Sequence, residues 1–289
     1  MNQFDHLVLL TLTYSSCFNF ALSENEVARR LVKGEKKLFF SRNKIKVSLK
    51  KLLEQSLIQS DGQYFYLEAN NLLNRKSKAK FVESKKADAK EFVKLAQRVP
   101  FVKAIVLTGS TAVGNAGKND DLDFMIICQN NTLWITRFLL VILTKLKNKR
   151  PGIQESSSWC LNLWLDENDL AMGKQRRSLY EAYEILQMKF IFDRGSYEQL
   201  FLNANQWLKK HLFFYDNFKF GRYKREMSFS LFNRFMFIIQ KLYRQIIFGK
   251  ENFSLGPTQA FFNEISFKEK LFGRLEKKLD EIGKQTISF

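Results

Sequence analysis

Residues 107–127 read LTGSTAVGNAGKNDDLDFMII. An apolar run stops at Gly109-Ser110, and a second one starts at Asp121-Leu122-Asp123. The segment ahead of the glycine, FVKAIVLTG, is apolar almost throughout, as in a strand buried on both faces, and LDFMIIC reads as its neighbour. Glycine at the end of a buried strand lets the backbone turn tightly and approach a ligand. Ser110 adds a hydroxyl beside the N–H groups of a helix start, and the combination suits phosphate. Asp121 and Asp123 are two apart, so on a strand their side chains leave the same face. Two carboxylates on one face near a phosphate cradle form an oxygen-ligand site for Mg²⁺, which completes its shell with water and substrate phosphates.

Outward from this stretch, residues 133–148 read as a long helix and WCLNLWL, from Trp159, as a third strand. The remainder is expected to be mainly helical: 178–190, opened by a Ser178/Glu181 capping box, then 196–212, 226–248 and 266–283. In the 226–248 segment, Phe232, Phe235, Met236, Ile239, Leu242 and Ile246 recur at three- and four-residue steps. Such a stripe is expected to pack on a core, with a membrane surface as the alternative. Upstream, residues 1–70 read helix, helix, helix, hairpin. The first helix covers Phe4 to Tyr14, the second carries a Ser23/Glu26 capping box, and the third starts at Ser41 with Ile45, Leu49, Leu52 and Leu53 on one face. Two strand-like runs then flank Asp61-Gly62. That order is the order of a winged helix, whose third helix, here bearing Arg42, Lys44, Lys46, Lys50 and Lys51, can meet nucleic-acid phosphates. The expected organisation is α+β: a winged helix over 1–73, a basic helical connector over 74–99, a central sheet-containing unit over 100–175 and a helical C-terminal region over 176–289.

Composition narrows the chemistry. The formal charge of +18 favours polyanionic partners. Cys17, Cys128 and Cys160 are odd in number and widely spaced, which argues against a disulfide framework or a zinc cluster and fits a reducing, cytoplasmic setting. His6 and His211 are the only histidines, so a His-centred triad or a two-histidine metal helix has no basis, and chemistry must run on carboxylates. Basic residues interrupt both long apolar segments, at Arg137 and Lys145 and at Arg234, Lys241 and Arg244. Neither is expected to span a membrane.

Gly109-Ser110 followed at ten residues by Asp121-Leu122-Asp123 resembles the signature of the DNA polymerase β-like nucleotidyltransferase superfamily, in particular its minimal nucleotidyltransferase domains. The likeness covers roughly residues 100–170. YEAYEILQM and NANQWLKKHL resemble the helical portion of bacterial members that also carry an N-terminal winged helix. The resemblance implies a small mixed sheet flanked by helices and Mg²⁺ (or Mn²⁺) as cofactor. It also implies transfer of a nucleoside monophosphate from an NTP to an acceptor, with Asp121 and Asp123 as the metal-binding, catalytic pair and Gly109 and Ser110 as the triphosphate turn. Active members commonly supply a third carboxylate from a later strand. Here the inward position of WCLNLWL is Asn162, which can neither act as a base nor add charge at a metal. Glu155, Asp166, Glu167 and Asp169 flank that strand without a geometric reason to point inward. The alternative is a catalytically degenerate nucleotide-binding regulator whose winged helix binds DNA. Lys103, Lys118, Arg176 and Arg177 are read as surface residues, and Trp134, Trp159, Trp164, Tyr180 and Tyr183 as core.

Overall fold

The computed structural model describes residues 1–34, 40–149, 158–226, 230–248, 254–262 and 266–283, with the backbone alone at 247, 248 and 266. Glu155 lies outside the described residues. The chain opens with α1 (Gln3–Ser16), α2 (Glu24–Arg30) and α3 (Arg42–Glu54), followed by a two-stranded hairpin, β1 (Gln59–Ser60) and β2 (Phe65–Tyr66). The helix starts lie where their caps predict: Ser23 and Glu26 form a capping box, and the Ser41 hydroxyl accepts from Lys44 N. Asp61 ties the hairpin turn by accepting from Gln63 N and Tyr64 N, and Gly62 takes φ +91°. α4 (Ala69–Ala79) and α5 (Val82–Ala96) then lead to the sheet.

The sheet begins with β3 (Val102–Thr108), a single turn of helix α6 (Gly109–Val113) and β4 (Leu122–Cys128). α7 (Leu133–Leu146) and β5 (Trp159–Asp166) follow. β3 and β4 are antiparallel, with Thr108 opposite Asp123, while β4 and β5 are parallel, with α7 as their crossover. α8 (Leu179–Gln187), again opened by a capping box from Ser178 and Glu181, is shorter than its expected span. It gives way to β6 (Lys189–Asp193), which joins the free edge of β3. Residues 196–212 are not one helix. α9 (Tyr197–Ala204) breaks at Asn205, whose amide donates to Leu170 O and Phe201 O, and two 3₁₀ turns follow at Gln206–Lys210 and Phe213–Asn217. α10 (Leu231–Phe248) is followed by β7 (Ser254–Leu255) and β8 (Gln259–Phe261), which extend the sheet beyond β5, and α11 (Ser266–Glu281) closes the described chain. The result is a mixed six-stranded sheet in the order β6-β3-β4-β5-β8-β7, with helical regions at both ends. The C-terminal third is therefore less helical than its sequence suggests. KFIFD and the strands about Gly256-Pro257 are too short to show a period of two.

Strand alternation assigns the two sheet faces. Ile105, Leu122, Phe124, Ile126 and Trp164 pack on α5 and α7, and Ala104, Val106, Met125, Ile127, Leu163 and Leu165 pack on α1, α8 and α11. Trp134, Trp159, Trp164 and Tyr183 are core, as expected.

The stripe on α10 points the other way from its expected direction. Leu231, Phe232, Phe235, Ile239, Leu242 and Ile246 are exposed, Ile246 by 82%. The face turned inward carries two amides. Trp134 N donates to Asn233 Oδ1 (3.0 Å) and Asn233 Nδ2 to Pro257 O (3.0 Å). Gln240 Nε2 donates to Trp134 O (2.7 Å), and Arg137 Nη1 to Gln240 Oε1 (2.6 Å). Periodicity locates an apolar stripe but does not say which way it faces, and here Met236 and Phe237 are the apolar residues that reach the core beside the amides. No helix among the described residues is long and apolar enough to cross a membrane.

Candidate active site

The turn and the acid on the next strand meet directly. Gly109 takes φ +64°, and a Cβ placed there would lie 2.5 Å from Asp123 Oδ2. The carboxylate thus rests on bare backbone, which only glycine permits. Asp121 and Asp123 leave the face of β4 that carries Met125 and Ile127, the face turned toward α8. Their surroundings differ. Asp121 is tied to the start of β5: Ser158 N and Oγ donate to its Oδ1 at 3.1 and 2.5 Å, and Cys160 Sγ lies 3.5 Å from its Oδ2. Among the described residues Asp123 takes one hydrogen bond, from Asn162 Nδ2 at 2.5 Å. A register shift in the β4–β5 pairing, at Phe124/Met125 opposite Leu161/Leu163, sets Asn162 out of the ladder and aims it at Asp123. Asp120 closes the intervening loop by accepting from Gly117 N (2.8 Å), and its carbonyl takes the Lys85 ammonium.

Asp123 carries an unfavourable charge. Burial first, and then the neighbouring Asp121 and Asp120, push its carboxyl up to about 7. A second acid shares the strain: burial, then Asp123 and Glu181, push Glu184 on α8 up to about 7. No hydrogen-bond donor meets the Glu184 carboxylate among the described residues. The acids flanking β5 play structural parts at the far end of the strand. Asp166 accepts from Asn131 N and Asn168 N, Glu167 from Asn130 N and the Tyr197 hydroxyl, and Asp169 from Arg225 and Thr258.

Thr108, Gly109, Asp123 and Asn162 form one wall of a cavity of about 570 Å³, whose far side is supplied by α8, the β8 end and the start of α11. Two cations reach it. Arg176 is half-buried, stacks on Phe261 with its guanidinium carbon 4.1 Å from the ring centroid, and leaves its Nε without a partner among the described residues. Lys268 Nζ lies 3.3 Å from Glu181. Arg176 is therefore not the surface residue its sequence position suggests, because the 3₁₀ turn at Lys174–Arg176 folds it back over β8. Glu184, Arg176 and Lys268 were not legible as site residues. The nearest signal is that buried Leu179, Ala182, Tyr183, Ile185 and Leu186 use up most of the circumference of α8, leaving Glu184 little bulk solvent to face.

The donor set suits a divalent cation. Two carboxylates on one strand face, one of them half-buried and raised by desolvation and then by its acidic neighbours, are relieved by a positive ion that takes its other ligands from phosphate and water. Among the described residues no group of three His, Cys, Asp or Glu side chains is placed to hold a metal by itself.

Neither the curated proteins nor the solved structures offer a match to the chain. Residues 89–167, from the second half of α5 through β5, match the nucleotidyltransferase domain family, whose substrate is an NTP. The matched segment holds the glycine-serine turn, the aspartate pair and Asn162 together; the chain accordingly carries a nucleotidyltransferase domain over this segment, consistent with the DNA polymerase β-like superfamily.

Proposed function

We propose that the protein transfers a nucleoside monophosphate from an NTP to an acceptor hydroxyl in a Mg²⁺-dependent reaction. The observation that carries this reading is the seating of Asp123 on the backbone of Gly109 at the wall of the large cavity. In this reading residues 100–175 form the catalytic unit, between a winged helix at 1–73 with its connector at 74–99 and the helical region at 176–289. The triphosphate lies against the Gly109-Ser110 turn, where bare backbone allows close approach. Arg176 and Lys268 face it from across the cavity and offset its charge. Asp121 and Asp123 would hold Mg²⁺, or Mn²⁺, which neutralises phosphate charge and polarises the phosphoryl group under attack. The hydrogen bond from Asn162 fixes the orientation of Asp123 without adding charge. Three free cysteines, two of them buried, suit a reducing, cytoplasmic compartment.

Binding of ATP, with and without Mg²⁺, to the wild type and to the Asp121→Ala/Asp123→Ala variant tests the reading. Mg²⁺ is expected to tighten ATP binding by the wild type alone, and equal affinity in all four titrations would end it. Asn162 also favours a second reading, a regulator that binds nucleotide without turning it over and contacts DNA through α3, where Lys44, Lys46 and Lys50 are exposed. Incorporation of labelled nucleotide into any acceptor counts against that reading. Salt-dependent retention of duplex DNA supports it.

A further inference from the structure

A second cavity, of about 220 Å³, lies between α1, α2, α6 and α8. Gly109, Tyr180, Glu184 and Phe267 line both this cavity and the larger one, so the two adjoin at the catalytic turn. The walls are aromatic: Tyr14 and Tyr183 stack with centroids 4.1 Å apart, and Phe18 and Phe20 continue the surface. Into this apolar space the protein places a guanidinium. Arg30, at the end of α2, is 9% exposed, and its side chain meets no carboxylate and no hydrogen-bond acceptor among the described residues. Its one described partner is the Phe20 ring, 5.3 Å from the guanidinium carbon. The nearby acid is already committed, since Glu26 pairs with Arg75 at 2.8 Å and closes the α2 cap. The Tyr14 hydroxyl, on a side chain 2% exposed, also lacks a partner among the described residues. A buried, unpaired guanidinium is costly, and proteins retain one where an anion is to be bound.

Building on the nucleotidyl-transfer reading above, we propose that this cavity is the acceptor site and that it takes a ring-bearing hydroxy compound with one anionic group. The anion pairs with Arg30, the ring packs on Tyr14, Phe18 and Tyr183, and the hydroxyl lies at Glu184, where the two cavities adjoin. Glu184 then supplies from α8 the carboxylate that Asn162 does not. In the reaction the acceptor oxygen forms a bond to the α-phosphorus of the NTP while its proton passes to the Glu184 carboxylate. The bond from that phosphorus to the oxygen bridging to the β-phosphate breaks, and pyrophosphate leaves with the electron pair.

Calorimetric titration of the full-length protein without nucleotide tests the cavity separately from the reaction. The probes are 4-hydroxybenzoate and 4-hydroxyphenyl phosphate, which present the anion as carboxylate or as phosphate, and neutral 4-hydroxybenzamide. One of the two anions is expected to bind the wild type at least tenfold more tightly than the amide, and which one identifies the anionic group. Arg30→Gln is expected to abolish that preference and Arg30→Lys to restore part of it, with melting temperatures of both variants confirming the fold. Failure of both anions to bind, or equal binding by wild type and Arg30→Gln, overturns the site. With the preferred anion and Mg-ATP, Glu184→Gln is expected to lower pyrophosphate release at least a hundredfold while both ligands still bind; unchanged release overturns the role of Glu184. Binding at Arg30 with no pyrophosphate release from the wild type counts against nucleotidyl transfer and leaves the anion site standing.

Discussion

Asp123 has nowhere to put a full negative charge without help. Its oxygens meet the Gly109 backbone on one side and the Asn162 amide on the other, and its carboxyl is pushed up to about 7 by burial and by Asp121 and Asp120. The unfolded chain loses that proton near the ordinary value of 3.8, so between about pH 4 and 7 the folded state binds more protons than the unfolded one. Stability from this group is therefore full below about pH 4, falls as pH rises to about 7, and is level above. In metal-free protein the fall is expected to be at most about 4 kcal/mol, since the rise from 3.8 to about 7 is about three tenfold changes in proton affinity, each worth about 1.4 kcal/mol. Asp123→Asn should flatten that part of the profile and raise the urea midpoint at pH 8 relative to wild type; identical profiles would show that the carboxylate is solvated. The same contact predicts the behaviour of Gly109→Ala. A methyl group at φ +64° costs roughly 1–3 kcal/mol, and by displacing Asp123 Oδ2 it should weaken Mg-ATP binding more than about tenfold in the same calorimetric assay.

At the scale of elements, legibility follows length. β3, β4 and β5 are seven- or eight-residue runs, apolar through most of their length, and three helices begin at residues whose caps announce them. β6 and β8 show no pattern of their own because they borrow their order from β3 and β5, whose edges they cover. The site divides in the same way. Gly109, Asp123 and Asn162 are neighbours through strand pairing and can be read from spacing, whereas Glu184 reaches them only by the docking of α8, which no local pattern encodes. α10 shows the limit most plainly: its apolar stripe is real, yet Asn233 and Gln240 make the attachment. Two substitutions should separate the faces. Leu242→Ser, at a position 53% exposed, is expected to change stability by less than about 0.5 kcal/mol. Gln240→Ala removes an acceptor of Arg137 and the donor to Trp134 O, and should cost roughly 1–3 kcal/mol. Chemical denaturation of each variant decides, and a larger loss from Leu242→Ser would mean that the stripe is covered in solution.

Across the whole molecule, one apolar core ties the N-terminal helices to the sheet and to the last helix. Leu10 and Tyr14 of α1, Val106 and Met125 of the sheet, Tyr183 of α8 and Leu271, Leu275 and Leu279 of α11 belong to the same cluster. α1 has almost no polar face to turn to water, since twelve of its residues are buried, some against α2 and α3 and others against the sheet side. A helix wetted on neither side cannot leave one neighbour without exposing the surface it shares with the other. The chain is therefore expected to unfold in a single transition, despite the four successive segments its sequence suggests. All four tryptophans lie beyond residue 130, so their fluorescence reports the sheet and the C-terminal half, while far-UV circular dichroism also reports α1, α2 and α3. The two signals should give coincident urea midpoints. Leu275→Ala, at a position 1% exposed on α11, should shift both together by roughly 2–5 kcal/mol. A dichroism change that precedes the fluorescence change would show instead that the first three helices come away on their own, and that the cavity walled by Tyr14 and Arg30 opens with them.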